Sequence, residues 1–428
     1  MTGVAMAGIG LLGVWPGGAA AAPQRVPIAA FDPLPAMPTV SPEAAALRAD
    51  LLGEHAGQPG WVTLHWTGVS SFIVTVNQHL FLFDAWEIIG AVNDYLPLGR
   101  EELAALEPEA ILIGHGHFDH AADAGYVAGL SGAVVVGSEE ICTVAEQTAV
   151  REGVPDDFRC AITGTMTEPP MGTMQTLQLF ADLAPVSILQ HVHSAATEPG
   201  PDNEPNPSAP IMDPQPYIDH FQDDPEELAR FLAQQQESNQ GGTWLYHLVV
   251  GDFTLVLGDS AGPIFQSQAI RDALDRFPGC VDVLANAILG FDQPVSGLQD
   301  PRLYVEHAHP KVFIPTHADA WAPVISAGQA QYVDLMEAEL ATLPNPPETI
   351  WLLDPDDYLA EVAFDVTDSR WTEPHPGSSC AAAVGPDAVV PEPDADAVPL
   401  PATGGAAVAL LGLAGLAIWT LGRRQRRA

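Results

Sequence analysis

From Trp61 onward the chain is written in short apolar blocks, at residues 61–66, 71–76 and 80–83, divided by Gly, Ser, Asn and Gln. Blocks of that length bounded by turn formers predict consecutive strands. The pattern then alternates. A helix is expected over 100–106, a strand over 110–113, a helix over 122–130 and a strand over 133–136. A second stretch repeats the style, with strands expected at 174–180, 186–191, 243–250 and 253–257, then a helix at 264–277. Strands at 281–284 and 312–315 and a helix at 329–343 complete it. Two halves of similar size, each β before α, predict two sheets packed face to face with helices outside. Between the halves, residues 198–224 are dense in Pro, Asn and Asp and read as an insertion loop near any site.

The ends of the chain read differently. An apolar run from Val4 to Val14, followed by small residues up to Ala22, has the form of a signal peptide over 1–22, although no basic residue precedes Arg25. Residues 23–60 are rich in Pro and Ala and are expected to be a linker, with a helical patch at 42–52. A Pro- and Asp-rich spacer is expected over 371–397, which leaves 61–370 as the catalytic body. At the far end an apolar stretch, 406–421, precedes Arg423, Arg424, Arg426 and Arg427 and reads as a membrane segment with a cytoplasmic basic tail. Just before it, Leu400 to Gly404 match the LPxTG pattern of sortase substrates, while Val398 to Ala402 resemble the VPLPA tails handled by exosortase-type systems. Both readings, and a plain membrane anchor over 398–428, imply an exported protein at the cell surface or envelope.

Composition narrows the partners. With 55 Asp and Glu against 15 Lys and Arg the formal net charge is −40, so a polyphosphate backbone is repelled and nucleic acid is not expected as a partner. Four cysteines are too few for a disulfide scaffold, and none has CxxC spacing. Cys142 and Cys160 flank a helix-like segment and can pair in an oxidising compartment, or stay as buried thiols.

The most specific feature is His115-Gly116-His117-Phe118-Asp119-His120, directly after the apolar block 110–113. In extended chain, residues i and i+2 point the same way, so His115 and His117 can reach one ion together. Asp119 and His120 follow on the turn. Imidazole nitrogen and carboxylate oxygen are ligands that zinc and similar metals accept.

This HxHxDH pattern resembles that of the metallo-β-lactamase superfamily, and the resemblance extends over roughly 61–353. It implies an α/β fold, the four-layer αββα sandwich, and two divalent metal ions, most readily Zn2+. It also implies further ligands. His193, with His191 as its rival, stands where the family has a histidine at a strand end. Asp259 takes the place of the aspartate between two ions, and His317 that of the last histidine. One ion would be held by His115, His117 and His193, the other by Asp119, His120 and His317. Asp84 resembles the acid that orients a ligating imidazole, unless it is an ordinary turn aspartate. His65, His247, His307 and His309 read as structural or surface residues.

The chemistry so implied is hydrolysis by a hydroxide held between two ions about 3.5–4 Å apart, with Asp119 or Asp259 accepting the proton. Position 259 is Asp rather than the cysteine or variant common in β-lactam-opening members. Trp66-Thr67-Gly68, Ser70-Ser71-Phe72 and Pro315-Thr316-His317 look more like the lactonase and phosphodiesterase-like branch. A lactone, ester or phosphodiester in a small or lipid-like molecule is therefore the expected substrate. A β-lactam hydrolase, a surface binding protein with structural metals, and a redox member with two irons are the alternatives.

Overall fold

The structure is a computed structural model that describes residues 22–89, 96–195, 215–290, 297–321 and 326–375. Two sheets form its centre. The first has eight strands in the order β1-β7-β6-β5-β4-β3-β2-β15. In chain order these are β1 (Gln24–Pro27), β2 (Trp61–Gly68), β3 (Ser71–Val76), β4 (His79–Phe83), β5 (Ala110–Leu112), β6 (Val134–Gly137), β7 (Arg159–Ile162) and β15 (Glu361–Asp365). The second has seven, in the order β14-β13-β12-β11-β10-β9-β8. They are β8 (Met174–Leu177), β9 (Val186–His191), β10 (Thr243–Val250), β11 (Phe253–Leu257), β12 (Val283–Ala287), β13 (Val312–Thr316) and β14 (Glu348–Thr349).

The central strands explain why the apolar blocks show little alternation. Every residue of β3, β4, β5 and β6 is buried, because the facing sheet covers one side and helices cover the other. One core cluster joins side chains of both sheets, among them Phe81, Phe83, Tyr246 and Phe253. A second cluster lies between β9–β13 and α8 (Gln268–Leu274), α9 (Gln299–Ala308) and α10 (Val333–Leu340). Against the first sheet pack α4 (Ala124–Ser131) and α5 (Glu139–Glu152), with α2 (Arg100–Ala105) packed on α4. The four-layer αββα arrangement expected from the sequence is present.

Several boundaries differ from expectation. The stretch read as a linker carries β1, which pairs in parallel with β7, and Arg25 ties it to Glu139 and Glu146 at 2.8 and 2.7 Å. It also carries α1 (Pro42–Leu51), whose Arg48 donates to the Leu106 and Glu107 carbonyls. A four-residue strand offers too short a periodic signal to stand out among prolines. Trp371, expected in the spacer, is instead part of the body, because it is buried and Lys311 donates to the carbonyls of Arg370 and Trp371. Part of the insertion loop is helical, as α6 (Gln215–Asp223), and is followed by α7 (Pro225–Glu237). The expected helix over 264–277 breaks at Ser267 into a 3-10 turn and α8, with the Ser267 hydroxyl accepting from Ile270 N. Cys142 lies within α5 rather than beside it and is disulfide-bonded to Cys160 on β7.

The signal peptide apart from Ala22, the membrane stretch 406–421 and the sorting motif lie outside the described residues. Among the described residues, no helix is long and apolar enough to cross a membrane.

Candidate metal centre

Strands β4, β5, β6 and β7 run parallel, as do β11, β12 and β13, and in open α/β sheets ligands gather at the carboxyl ends of such strands. Asp84 directly follows β4, Asp259 lies just beyond β11 and His317 directly follows β13. His115 and His117 lie beyond β5, and Asp119 and His120 lie on the single turn α3 (Phe118–Ala121). His193 lies beyond β9. All seven predicted ligands are at most 9% exposed.

The edge is sewn shut by backbone. Gly116 N donates to Gln240 O at 2.8 Å, Asn239 N to Gly116 O at 3.0 Å and Trp244 N to Gly114 O at 2.8 Å. The loop after a strand of one sheet is thus paired with the segment entering a strand of the other. Two glycines permit this closeness: a Cβ at Gly116 would stand 2.2 Å from Asn239 O, and one at Gly114 would stand 2.1 Å from the Asp259 carboxyl carbon.

The side chains converge in three overlapping groups: His115, His117 and His193; Asp119, His120 and His317; and His115, His120 and Asp259 between them. His115 Nε2 is 2.9 Å from His117 Nδ1 and 3.0 Å from His193 Nε2. His120 Nε2 is 3.2 Å from both His317 Nε2 and Asp119 Oδ2. His193 is therefore the histidine that joins the group. Its rival His191 turns to Tyr304, with Nδ1 2.8 Å from the hydroxyl. His65, His247 and His307 are held by Thr63, the Cys280 carbonyl and Asp275, and His309 ends α9 in the left-handed region.

Hydrogen-bond logic tests whether a cation fits. His115 Nδ1 donates to Asp259 Oδ2 at 2.7 Å, and His193 Nδ1 donates to the Ser194 carbonyl at 2.6 Å. With the proton of each neutral ring placed there, their two Nε2 lone pairs face each other across 3.0 Å. Both rings stay neutral, because burial, aided by neighbouring imidazoles, pushes their pKa values well below the ordinary range. His117 is lowered to about 4, mainly by burial.

The other half is charged. Burial opposes charge on His120, but Asp119, Asp259 and Asp84 outweigh it and hold its pKa well above the ordinary value. Burial likewise opposes charge on Asp119, which His120 and His317 nevertheless hold well below the carboxylate range. Burial raises Asp84 to about 7 and Asp259 to about 6. Among the described residues the ion-pair partners of these three carboxylates are all histidines, and Asp259 Oδ1 is buried without a hydrogen-bond partner. Opposed lone pairs, crowded carboxylates and an orphaned carboxylate oxygen are what a divalent ion satisfies, so the residues fit a bound metal.

Asp84 is not an ordinary turn aspartate. Its Oδ2 accepts from His120 Nδ1 at 2.8 Å and from Ser70 Oγ at 3.0 Å, and its Oδ1 accepts from Gly114 N at 2.9 Å. Ser70 is the participant that sequence reasoning did not single out as a site residue. Its only signal was its place in the short turn before Phe72. The segment that follows α7 also reaches the centre, since Ser238 Oγ accepts from Phe118 N at 3.2 Å, at the start of α3.

The sequence model described as the metallo-beta-lactamase superfamily matches residues 65–198. A metal-dependent hydrolase of Pyrobaculum neutrophilum is 36% identical over 94 residues, which are 22% of this chain and 38% of that protein. One from Cereibacter sphaeroides is 34% identical over 89 residues, 21% of this chain and 37% of that protein. The chain thus spans well under half the length of these relatives. Among solved structures, a metallo hydrolase of Ignicoccus hospitalis aligns with TM-score 0.43 at 15% identity, over 71% of this chain and 98% of that one. Residues 65–198 therefore carry the sequence pattern of the metallo-β-lactamase superfamily, within a body of two facing sheets flanked by helices.

Proposed function

We propose that the chain is a metal-dependent hydrolase with a dinuclear centre, one ion at His115, His117 and His193 and the other at Asp119, His120 and His317, with Asp259 between them. The observation that carries this reading is the pair of buried three-ligand groups joined through His115, His120 and Asp259. Divalent ions, zinc being suited to this nitrogen and oxygen set, supply polarisation of a carbonyl or phosphoryl oxygen and acidify water.

The chain's own residues do the rest. Asp259 Oδ1, free of protein hydrogen bonds, and the Asp119 carboxylate are the groups placed to take the proton of attacking water and return it to the leaving group. Asp259 Oδ2 holds the proton on His115 Nδ1, and Asp84 Oδ2 holds it on His120 Nδ1, so both rings present Nε2 to the site.

The substrate proposed is a lactone, ester or phosphodiester of small or lipid-like character, supported by Asp at position 259 and by the sequences around Ser70 and His317. The proposed location is the cell surface, reached through the 1–22 signal and held through the 398–428 tail by a sortase or exosortase-type enzyme or by the membrane. The Cys142–Cys160 disulfide supports an oxidising compartment.

The test is metal analysis of the purified full chain beside a screen of lactone, phosphodiester and β-lactam substrates, with His117→Ala and Asp259→Ala as controls. Close to two zinc ions per chain, with hydrolysis of one class that both substitutions abolish, is the expected result. Absence of any bound metal overturns it, and two irons without hydrolysis moves the case to redox chemistry.

A further inference from the structure

The turn joining β2 to β3 touches the centre twice, both times on the same half. The Val69 carbonyl accepts from His317 N at 2.8 Å. Ser70 Oγ accepts from His120 Nδ1 at 3.0 Å while donating to Asp84 Oδ2 at 3.0 Å. Among the described residues, none of the turn's hydrogen bonds reaches His115, His117 or His193. The backbone between His115 and His117 is held instead by the Asn239–Gln240 segment, which pairs with Gly116, and His193 Nδ1 is held by the Ser194 carbonyl.

The turn is itself gripped. Val69 N donates to both carboxylate oxygens of Asp319, at 3.1 and 3.0 Å, and Trp66 Nε1 donates to the Val69 carbonyl at 3.0 Å. The Tyr358 hydroxyl donates to Asp319 Oδ2 at 2.7 Å, which fixes the carboxylate from the far side. Val69, Ser70 and Asp319 are all fully buried.

Backbone conformation points to the same spot. Val69, Asp84 and His317 have φ of 54, 57 and 68°, in the left-handed region. For a β-branched residue such as Val69 that is a genuine outlier. Strained positions of this kind persist only where surrounding structure over-determines them, and they cluster at functional sites. Here His317 is itself a proposed ligand, Asp84 accepts from His120, and Val69 accepts from His317 N.

We propose that the Gly68–Ser70 turn, clamped by Asp319, is a positioning element for the Asp119, His120 and His317 group alone, so that the two halves of the centre are supported, and can be lost, separately. Ser70 and Asp319 are its positioning residues. Ser70 fixes the His120 ring through Asp84, and Asp319 fixes the backbone that holds His317. The proposal rests on the dinuclear reading above for its metal arm, and its test is built to tell the two apart.

Zinc titration of the full chain against a competing chelator is the first readout, for wild type, Ser70→Ala, Asp319→Ala and Asp319→Asn. Ser70→Ala and Asp319→Ala are expected to weaken one of two ions about tenfold to a hundredfold and leave the other unchanged. Asp319→Asn, which keeps an acceptor for Val69 N, is expected to recover most of the loss. The second readout is histidine ring 15N spectra of the metal-free chain, where His120 and His317 should shift while His115, His117 and His193 stay put. Equal weakening of both ions, no weakening, or shifts spread over all five rings overturns the proposal. If wild type binds no zinc, the dinuclear reading fails while the spectra still decide the role of the turn. Tyr358→Phe, which leaves the carboxylate in place, provides a milder variant for the same spectra if Asp319→Ala does not fold.

Discussion

Asp259 Oδ2 accepts a hydrogen bond from His115 Nδ1 at 2.7 Å, across the seam between the two sheets. His115 follows a strand of one sheet and Asp259 a strand of the other, so this contact registers the sheets at the centre as well as orienting an imidazole. It also makes Asp259 a residue with opposite effects in the metal-free and metal-loaded protein.

In the metal-free state Asp259 is buried near Asp84 and Asp119, and its pKa is raised to about 6. Asp259→Asn keeps an acceptor for His115 and removes a charge that the fold disfavours at pH 7. We expect the chelated variant to be more stable than chelated wild type by roughly 1–3 kcal/mol. Zinc at a hundred times its dissociation constant should stabilise wild type by about 2.7 kcal/mol per ion and the variant by much less. Thermal melts with and without zinc check both signs, and a variant that is less stable without metal refutes the first.

Gly116→Ala puts a Cβ where 2.2 Å separates it from Asn239 O, a backbone atom that cannot rotate away. The pairing that closes the site edge must open. A loss of about 1–3 kcal/mol by denaturant unfolding is expected, together with weaker zinc binding at His115, His117 and His193. Unchanged stability would mean that the 239–240 segment yields freely.

His79 on β4 is fully buried between Glu109 at 3.0 Å and Asp182 at 2.9 Å, and so links the first sheet to the chain between β8 and β9. Burial opposes its charge, but hydrogen bonds to the two carboxylates outweigh burial and raise its pKa above 6.5. The folded state therefore binds this proton more tightly than the unfolded chain. The stabilisation is complete below pH 6.5 and is lost as pH rises through the raised value. His79→Gln should cost about 2 kcal/mol at pH 6 and less at pH 9, measured by urea unfolding at both pH values. An equal loss at both would show that charge has no part.

The Cys142–Cys160 bridge closes a loop with sequence separation 18. Replacing both by Ala should lower stability by about 3 kcal/mol. A reducing agent, which also opens the disulfide at Cys280, should lower wild-type stability by at least as much, and a variant as stable as wild type would show the bridge to be idle.

The periodicity of the chain exposed most of the strands, because in a sandwich the central strands are buried on both faces and appear as unbroken apolar blocks. β1, β7, β14 and β15 were missed. They are two to five residues long, too short for a period, and β1 lies among prolines, paired with another strand far along the chain. The helices α6 and α7 were hidden by the Pro- and Asp-rich sequence around them, and Asp224 between them serves as an N-cap for α7.

What the sequence determined by itself was the local part of the centre. His115, His117, Asp119 and His120 lie within six residues, and chain geometry alone brings them together. His193, Asp259 and His317 could be matched only by resemblance, and the hydrogen-bonding roles of Ser70 and Asp319 not at all. Only the tertiary structure decided between His191 and His193, because strand register and the position of Tyr304 determine which ring turns toward His115. The physical reason is that a ligand set drawn from both sheets exists only once their strand ends meet. Hydrogen bonds that hold those ends, such as Val69 to Asp319, join residues hundreds of positions apart and leave no periodic trace in the chain.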